Sequence, residues 1–377
     1  VRPGTAVDDV LARLRRDPDV EAPDLVAVDA TDRLLLDEAA DAVRRCGRGE
    51  IAVVDDSYGA LTLGLQARYG ATGVRVAQDL LLGEQALARN ADRVGLAGHR
   101  SLPLGPDLVS GARLVLVKAP KALDALREIA EVVAAGAAPD VTVLVGARVK
   151  HMTHAMNDVL GACFTEVSAT LARQKSRLLV ARGPVPGASS FPSCTAHADV
   201  GLTVCAHGAA FAGARIDLGT RALLDCLDRM APGAATALDL GCGTGVLAAA
   251  LARDRPGLEV LAVDQSAAAV ASARATAAAN GFDHRIRVLR DDAASGLLDG
   301  SMDLVVCNPP FHVGAAVVPA AADRLFAGAA RVLRPGGELW TVYNSALRYK
   351  PVLAGLVGPT RLATQGPKFT VTVSTRR

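Results

Sequence analysis

Three observations predict an α/β protein made of two tandem domains, each a mostly parallel sheet covered by helices. The chain has 377 residues, more than twice the ~150 typical of one domain. Short Val/Leu-rich runs alternate with longer Ala/Leu/Arg stretches in both halves, the pattern of strands buried on two faces between covering helices. The halves also match each other. Residues 52–96 lie over 237–282, with Gly59 above Gly245 and Asp79 above Asp264, and Val117-Lys-Ala-Pro-Lys121 falls over Cys307-Asn-Pro-Pro-Phe311. Matches in one order along the chain point to a duplication.

The division falls in the segment from Gly183 to Pro192, where three prolines and two glycines interrupt the apolar periodicity. The expected domains are therefore 1–182 and 194–377, with 183–193 as linker. Apolar residues make up 50% of the chain against 21% charged, enough for two cores and too apolar for a mainly disordered chain. Only 7 Phe, 4 Tyr and 1 Trp are present, so those cores are aliphatic. A formal net charge of +2 excludes a uniformly basic nucleic-acid coat, yet residues 331–377 hold eight basic side chains and one acidic one.

Seven cysteines without a CxxC pair read as free thiols in a reducing compartment, with no disulfide expected, which points to the cytoplasm. The first twenty residues lack the apolar core of a signal peptide, and no run reaches the ~18 apolar residues of a membrane-spanning helix. His151-x-x-His154 and Cys194-x-x-His197 with Cys205-x-His207 do not have zinc-finger spacing, so no metal is expected.

In the second half, Asp239-Leu-Gly241-Cys-Gly243-Thr-Gly245 lies between an apolar run and an Ala/Leu-rich helix, where glycines let the backbone turn tightly and approach a ligand. A dinucleotide loop would place its third small residue at 246, which is Val246; pyrophosphate is disfavoured. Asp264 ends the next apolar run and can hold two ribose hydroxyls, Asp291 or Asp292 follows the run after that, and Asp239 either touches the ligand or orders the loop. Further along, Asn308-Pro309-Pro310-Phe311 ends a buried strand, the rim at which open α/β sheets bind ligands. Prolines contribute no N–H, so the Asn308 oxygen and the Pro309 carbonyl present acceptors alone. That suits an exocyclic amino group on a base, with Phe311 stacking on the ring. His312 touches RNA, shapes the pocket or is structural.

The GxGxG loop resembles the first motif of class I S-adenosylmethionine-dependent methyltransferases. Nearly the whole chain is similar to the bacterial two-domain ribosomal RNA guanine-N2 methyltransferases, through Phe211-Ala-Gly-Ala-Arg-Ile-Asp217-Leu-Gly-Thr-Arg, Cys307-Asn-Pro-Pro-Phe-His312, Tyr343-Asn-Ser-Ala-Leu-Arg348-Tyr-Lys350 and Lys368-Phe-Thr-Val. The first half looks closer to the large-subunit branch through Val149-Lys150-His-Met152 and Gln174-Lys175-Ser-Arg177-Leu178. The resemblance implies two Rossmann-like methyltransferase domains, the first degenerate. It assigns S-adenosylmethionine to Asp239, Gly241, Gly243, Gly245, Asp264, Asp291 and Asp292, and catalysis to Asn308, Pro309, Pro310 and Phe311. Ribosomal RNA or a ribosomal subunit is the implied partner, with no membrane and no metal.

In the first half the loop has become Asp55-Asp56-Ser57-Tyr58-Gly59 and Lys118 stands where Asn308 stands, so that half is read as an RNA-positioning domain. Residues 141–182 carry six basic and two acidic side chains, and Lys150, Arg173, Lys175 and Arg177 are the expected RNA contacts. Arg348, Lys350 and Lys368 are expected to join them from the second half. Methylation of a protein glutamine or of adenine N6, each with a planar NH2 group, and a non-catalytic RNA-binding assembly factor remain the alternatives.

Overall fold

A computed structural model describes residues 3–22, 24–310 and 314–377. The chain divides into two compact units, Val1–Phe191 and Pro192–Arg377. In the first, β1 (Ile51–Val54), β2 (Arg75–Ala77), β3 (Arg100–Ser101), β4 (Leu114–Lys118), β5 (Thr142–Arg148), β6 (Phe164–Ala169) and β7 (Ser176–Pro184) form one sheet. Its order is β3-β2-β1-β4-β5-β7-β6. β7 thus extends into the segment expected to be linker.

The second unit begins with a hairpin of β8 (Ser193–His197) and β9 (Leu202–Ala206). Then β10 (Thr236–Leu240), β11 (Glu259–Asp264), β12 (Ile286–Arg290), β13 (Met302–Cys307), β14 (Leu333–Asn344), β15 (Thr360–Gln365) and β16 (Phe369–Thr375) repeat the first topology as β12-β11-β10-β13-β14-β16-β15. In each sheet five strands run parallel and the closing hairpin is antiparallel.

The strand runs are unbroken in hydrophobicity because each sheet is covered on both faces. Ile51 and Val53 enter one core while Ala52 and Val54 enter the other, and Leu304 and Val306 alternate with Val305 and Cys307 in the same way. This is the two-residue period of a strand, with both of its faces dry.

Register makes the duplication concrete. Val54 pairs with Ala77 and Val117, and Leu240 pairs with Val263 and Cys307. Lys118 therefore occupies the position of Asn308, as the sequence match implied. The match of Asp79 to Asp264 is corrected by one residue: Gln78 follows Ala77 as Asp264 follows Val263. Gln78 turns inward, its Nε2 donating to the Gly83 carbonyl at 2.9 Å.

The expectation of free thiols throughout is also corrected. Cys194 and Cys205 lie directly opposite each other across the β8–β9 hairpin and are joined as a disulfide. Strand pairing, not sequence spacing, brings these sulfurs together. Cys46, Cys163, Cys226, Cys242 and Cys307 are free. Among the described residues no helix is long and apolar enough to cross a membrane.

After the first central strand the chain turns with positive φ at three positions, in both units. Gly241, Gly243 and Gly245 have φ of 73°, 51° and 75°, and Asp55, Ser57 and Gly59 have 58°, 61° and 94°. The first unit keeps the left-handed turn but fills it with side chains, which costs strain that glycine avoids. Asp55 Oδ1 accepts from the Asp79 N–H at 3.1 Å. Asp56 accepts from Leu61 and Thr62 N–H groups at the start of helix Ala60–Tyr69, meeting donors that the helix cannot satisfy itself.

Burial raises Asp55 to about 6 and Asp56 to about 7. A carboxyl raised above its unfolded value of 3.8 stabilises the fold fully below that pH, and its contribution is lost as pH rises through the folded value. Asp55→Asn keeps an acceptor for Asp79, tolerates positive φ and does not titrate. It is expected to raise the unfolding free energy read from urea titration near pH 8 by roughly 3 kcal/mol, the linkage value of a carboxyl moved from 3.8 to about 6, and to leave it unchanged near pH 4; equal effects at both pH values would refute this account.

Candidate active site

The residues singled out in the second half converge at the carboxyl ends of β10, β11 and β13. The first component is the loop from Gly241 to Gly245. Gly241 and Cys242 N–H groups both donate to the Val263 carbonyl, at 2.8 and 3.0 Å. A Cβ added to Gly241 or Gly243 would meet no atom within 4 Å, whereas one on Gly245 would lie 2.9 Å from Ala273 Cβ and 3.0 Å from its Cα. The glycines thus divide their duties. Gly241 and Gly243 leave a bare backbone facing open space, and Gly245 lets helix Val246–Asp254 approach helix Ala267–Ala279.

Asp264 sits at the rim of that space. Its Oδ2 accepts from the Gly243 N–H at 3.0 Å and its Oδ1 from the Ser266 N–H at 2.9 Å, so the carboxylate is fixed between the two turns. Asp239 takes the ordering role. It is buried, and its Oδ2 accepts from the Ala248 N–H at 3.0 Å, in the first turn of the helix. Burial raises it to about 7. In the first unit the matching helix position, Thr62, is served by Asp56 instead.

Asp291 and Asp292 both engage the protein. Asp291 accepts from Ser295 Oγ at 2.6 Å and the Gly296 N–H at 2.7 Å, while Asp292 pairs with Arg324. A bare glycine cradle with a fixed carboxylate at its rim fits S-adenosylmethionine: a methionine end would have room against Gly241 and Gly243, and Asp264 would be the residue to hold ribose hydroxyls.

The second component surrounds Asn308. Its Nδ2 lies 3.1 Å from Thr220 Oγ1 and 3.4 and 3.3 Å from the two oxygens of Asp217. Asp217 is the N-cap of helix Leu218–Leu224, accepting from Gly219 and Thr220 N–H groups. Gly219 lets this helix start come close, since a Cβ would stand 3.2 Å from Asn308 Oδ1 and 3.3 Å from Nδ2 and would press on the amide. Asn308 Oδ1 is buried and has no hydrogen-bond partner among the described residues. Such an orphaned acceptor costs ~1–3 kcal/mol unless something donates to it. Pro309 is buried and Pro310 exposed; Phe311 and His312 lie outside the described residues.

Sequence reasoning met Asp217, Gly219 and Thr220 only as part of the family-like segment that begins at Phe211 and gave them no role in the site. The signal was an Asp-x-x-Thr helix start, which alone does not reveal that it faces Asn308. The first unit carries the counterpart. Asp29 caps helix Ala30–Glu38, Asp32 stands where Thr220 stands, and Lys118 Nζ lies 2.8 Å from Asp32 and 3.5 Å from Asp29. Burial opposes the Lys118 charge, but the two carboxylates outweigh it and hold its pKa above the ordinary value.

Of the expected RNA contacts in the first unit, Lys150 and Lys175 are exposed, and the Val149 N–H bonds the Lys175 carbonyl at 2.9 Å. Arg173 is exposed and pairs with Asp37 at 2.8 Å and Glu38 at 3.9 Å, and Arg177 is half-buried within β7. The second unit repeats this edge: Ser345 N–H bonds the Lys368 carbonyl at 3.0 Å. Arg348, Lys350 and Lys368 are exposed there. Between Arg348 and Lys350, the buried Tyr349 packs edge-on against Phe326 and Tyr343, at 5.4 and 5.5 Å between ring centroids, anchoring the two cations.

Fold and site together define a methyltransferase with two units of like topology, of which the second has the bare glycine turn. Residues 201–373 match the family described as the methyltransferase small domain, and residues 5–184 match the RLMG N-terminal domain. The chain is 36% identical over 363 residues to the ribosomal RNA large subunit methyltransferase G of Pseudomonas paraeruginosa, covering 95% of this chain and 96% of that one. It is also 36% identical over 373 residues to the protein of that name from Streptomyces avermitilis, covering 96% and 95%. The fold is shared with the T. thermophilus 16S rRNA N2 G1207 methyltransferase solved with AdoMet and guanosine, at a TM-score of 0.73 and 24% identity over 93% of this chain and 92% of that one. The chain belongs to the ribosomal RNA large subunit methyltransferase G family, and it uses S-adenosylmethionine.

A side chain at position 243 enters the open cradle and is strained at positive φ. Gly243→Val is expected to lower S-adenosylmethionine affinity at least ~100-fold in calorimetry while circular dichroism stays native. The parent chain is expected to bind one equivalent of donor; a stoichiometry of two would show that the filled loop at Asp55 to Gly59 still binds.

Proposed function

We propose that this chain methylates the exocyclic N2 amine of a guanine in large-subunit ribosomal RNA, with catalysis in the second unit and the first unit serving to hold RNA. The observation that carries this reading is the unpartnered Asn308 Oδ1, set beside two prolines that offer no N–H. An acceptor in that place pairs with a donor, and an amine on a base supplies one. The names of the relatives support ribosomal RNA of the large subunit, and the shared fold of the T. thermophilus N2 G1207 methyltransferase, solved with guanosine, supports guanine N2.

An exocyclic amine is a weak nucleophile because its lone pair is delocalised into the ring. When Asn308 Oδ1 and the Pro309 carbonyl accept its two hydrogens, the nitrogen can pyramidalise and its lone pair localises. Bound S-adenosylmethionine supplies the electrophilic methyl on a sulfonium. Gly241, Gly243 and Asp264 fix the donor's place, and Asn308 fixes the amine, so the chain's contribution is alignment for an in-line displacement. The amine proton leaves during or after transfer, and no strong base is needed. The target base must leave its stack to reach a strand-end rim of this kind.

Asn308→Ala is expected to slow single-turnover methylation by ~30- to 1,000-fold, the range for a positioned polar group worth ~2–4 kcal/mol, with donor affinity unchanged. An unchanged rate would remove the proposed role. Nucleoside mass mapping of deproteinised and subunit-assembled RNA would show whether N2-methylguanine is the product.

The exposed edges make a separate prediction. Lys150→Gln with Lys175→Gln is expected to weaken RNA binding and reduce the slope of log K against log salt by ~0.7–0.9 per lost phosphate contact. Donor affinity is expected to stay constant, and an unaltered slope would refute the contact.

A further inference from the structure

We infer that Asp217 and Thr220 are positioning residues that set the flip of the Asn308 amide, so that Oδ1 and not Nδ2 meets the substrate amine. This rests on the reading of Asn308 as the acceptor for that amine. An Asn side chain has a donor end and an acceptor end of nearly equal shape, and its neighbours decide which points where. Asp217 is a carboxylate capping a helix, and an ionised carboxylate accepts only. Thr220 Oγ1 donates to Asp217 Oδ2 at 2.5 Å, which spends its single hydrogen and leaves lone pairs for Asn308. Nδ2 therefore faces acceptors on both Asp217 and Thr220. The opposite flip would set Oδ1 against a carboxylate.

The first unit supplies an independent comparison. It keeps the same strand end, the same helix N-cap and the same third helix position, now as Lys118, Asp29 and Asp32. An ammonium has donors only, so the side chain at that strand end presents no acceptor to a base. In the second unit a hydroxyl replaces the Asp32 carboxylate and an amide replaces the ammonium, and the neutral pair has one acceptor to spare. The Asp217 cap is common to both units, whereas the pairing of Thr220 with Asn308 belongs to the unit that keeps the cradle.

Thr220→Val preserves shape and removes the lone pairs that hold Nδ2. Single-turnover methylation at saturating RNA and donor is expected to fall ~10-fold, with donor affinity unchanged and the melting temperature lowered by only a few degrees through loss of the Thr220–Asp217 hydrogen bond. Thr220→Ser is expected to recover the rate to within about twofold. Asp217→Asn, which still caps Gly219 but can turn an NH2 toward Asn308, provides a second route to the same loss. In an Asn308→Ala background neither substitution is expected to slow the reaction further, because there is no amide left to orient. Full activity in both single variants, or an equal loss with and without Asn308, would overturn the inference. A normal rate in Asn308→Ala alone would instead overturn the functional reading beneath it.

Discussion

The constraint on which the site depends is the left-handed turn that follows the central strand of each sheet. A parallel sheet covered on both faces leaves the carboxyl ends of its strands as a natural opening, and the chain must reverse there within a few residues to begin its helix. Three residues at positive φ accomplish this in both units. What the turn does next depends on side chains. Gly241 and Gly243 leave the backbone bare beside Asp264, while Asp55 and Ser57 occupy the corresponding space.

Changes elsewhere in the first unit are consistent with that filling. Its helix start is capped by Asp56 from within the loop, where the second unit uses Asp239 from the strand. Gln78 bonds backbone where Asp264 faces the cradle. Lys118 closes an ion pair with Asp29 and Asp32, where Asn308 leaves an oxygen open. Buried ions of this kind are costly to break one partner at a time, so the Lys118 cluster is a stable structural element. The duplicated scaffold has kept its capping geometry while exchanging neutral hydrogen-bond groups for charges.

Burial explains the electrostatics on both sides of this exchange. Asp239 and Asp56 lie under helix starts and have raised pKa values because water is excluded, despite accepting backbone N–H groups. Neither is placed to do chemistry. In the proposed reaction the chemistry rests on a neutral amide and on backbone, in keeping with a step whose difficulty is the geometry of a weak nucleophile rather than the removal of a proton.

The alternating apolar runs, the spacing of Gly241, Gly243 and Gly245, the Asn308-Pro309-Pro310 strand end and the self-match of the halves were legible in the sequence. Each is local or repeats along the chain, and strand periodicity and glycine turns depend on nearby residues. Only the tertiary structure decided the partners. Asp217 and Asn308 are 91 residues apart, Lys118 and Asp32 are 86 apart, and Cys194 meets Cys205 because a hairpin pairs them. It also decided that Gln78, not Asp79, matches Asp264, that Arg173 pairs with Asp37, and that Gly245 lies against Ala273. Contacts across such separations depend on strand register and on which helix end reaches which strand end. Those follow from the packing of whole layers, and a motif read along one segment carries no record of them.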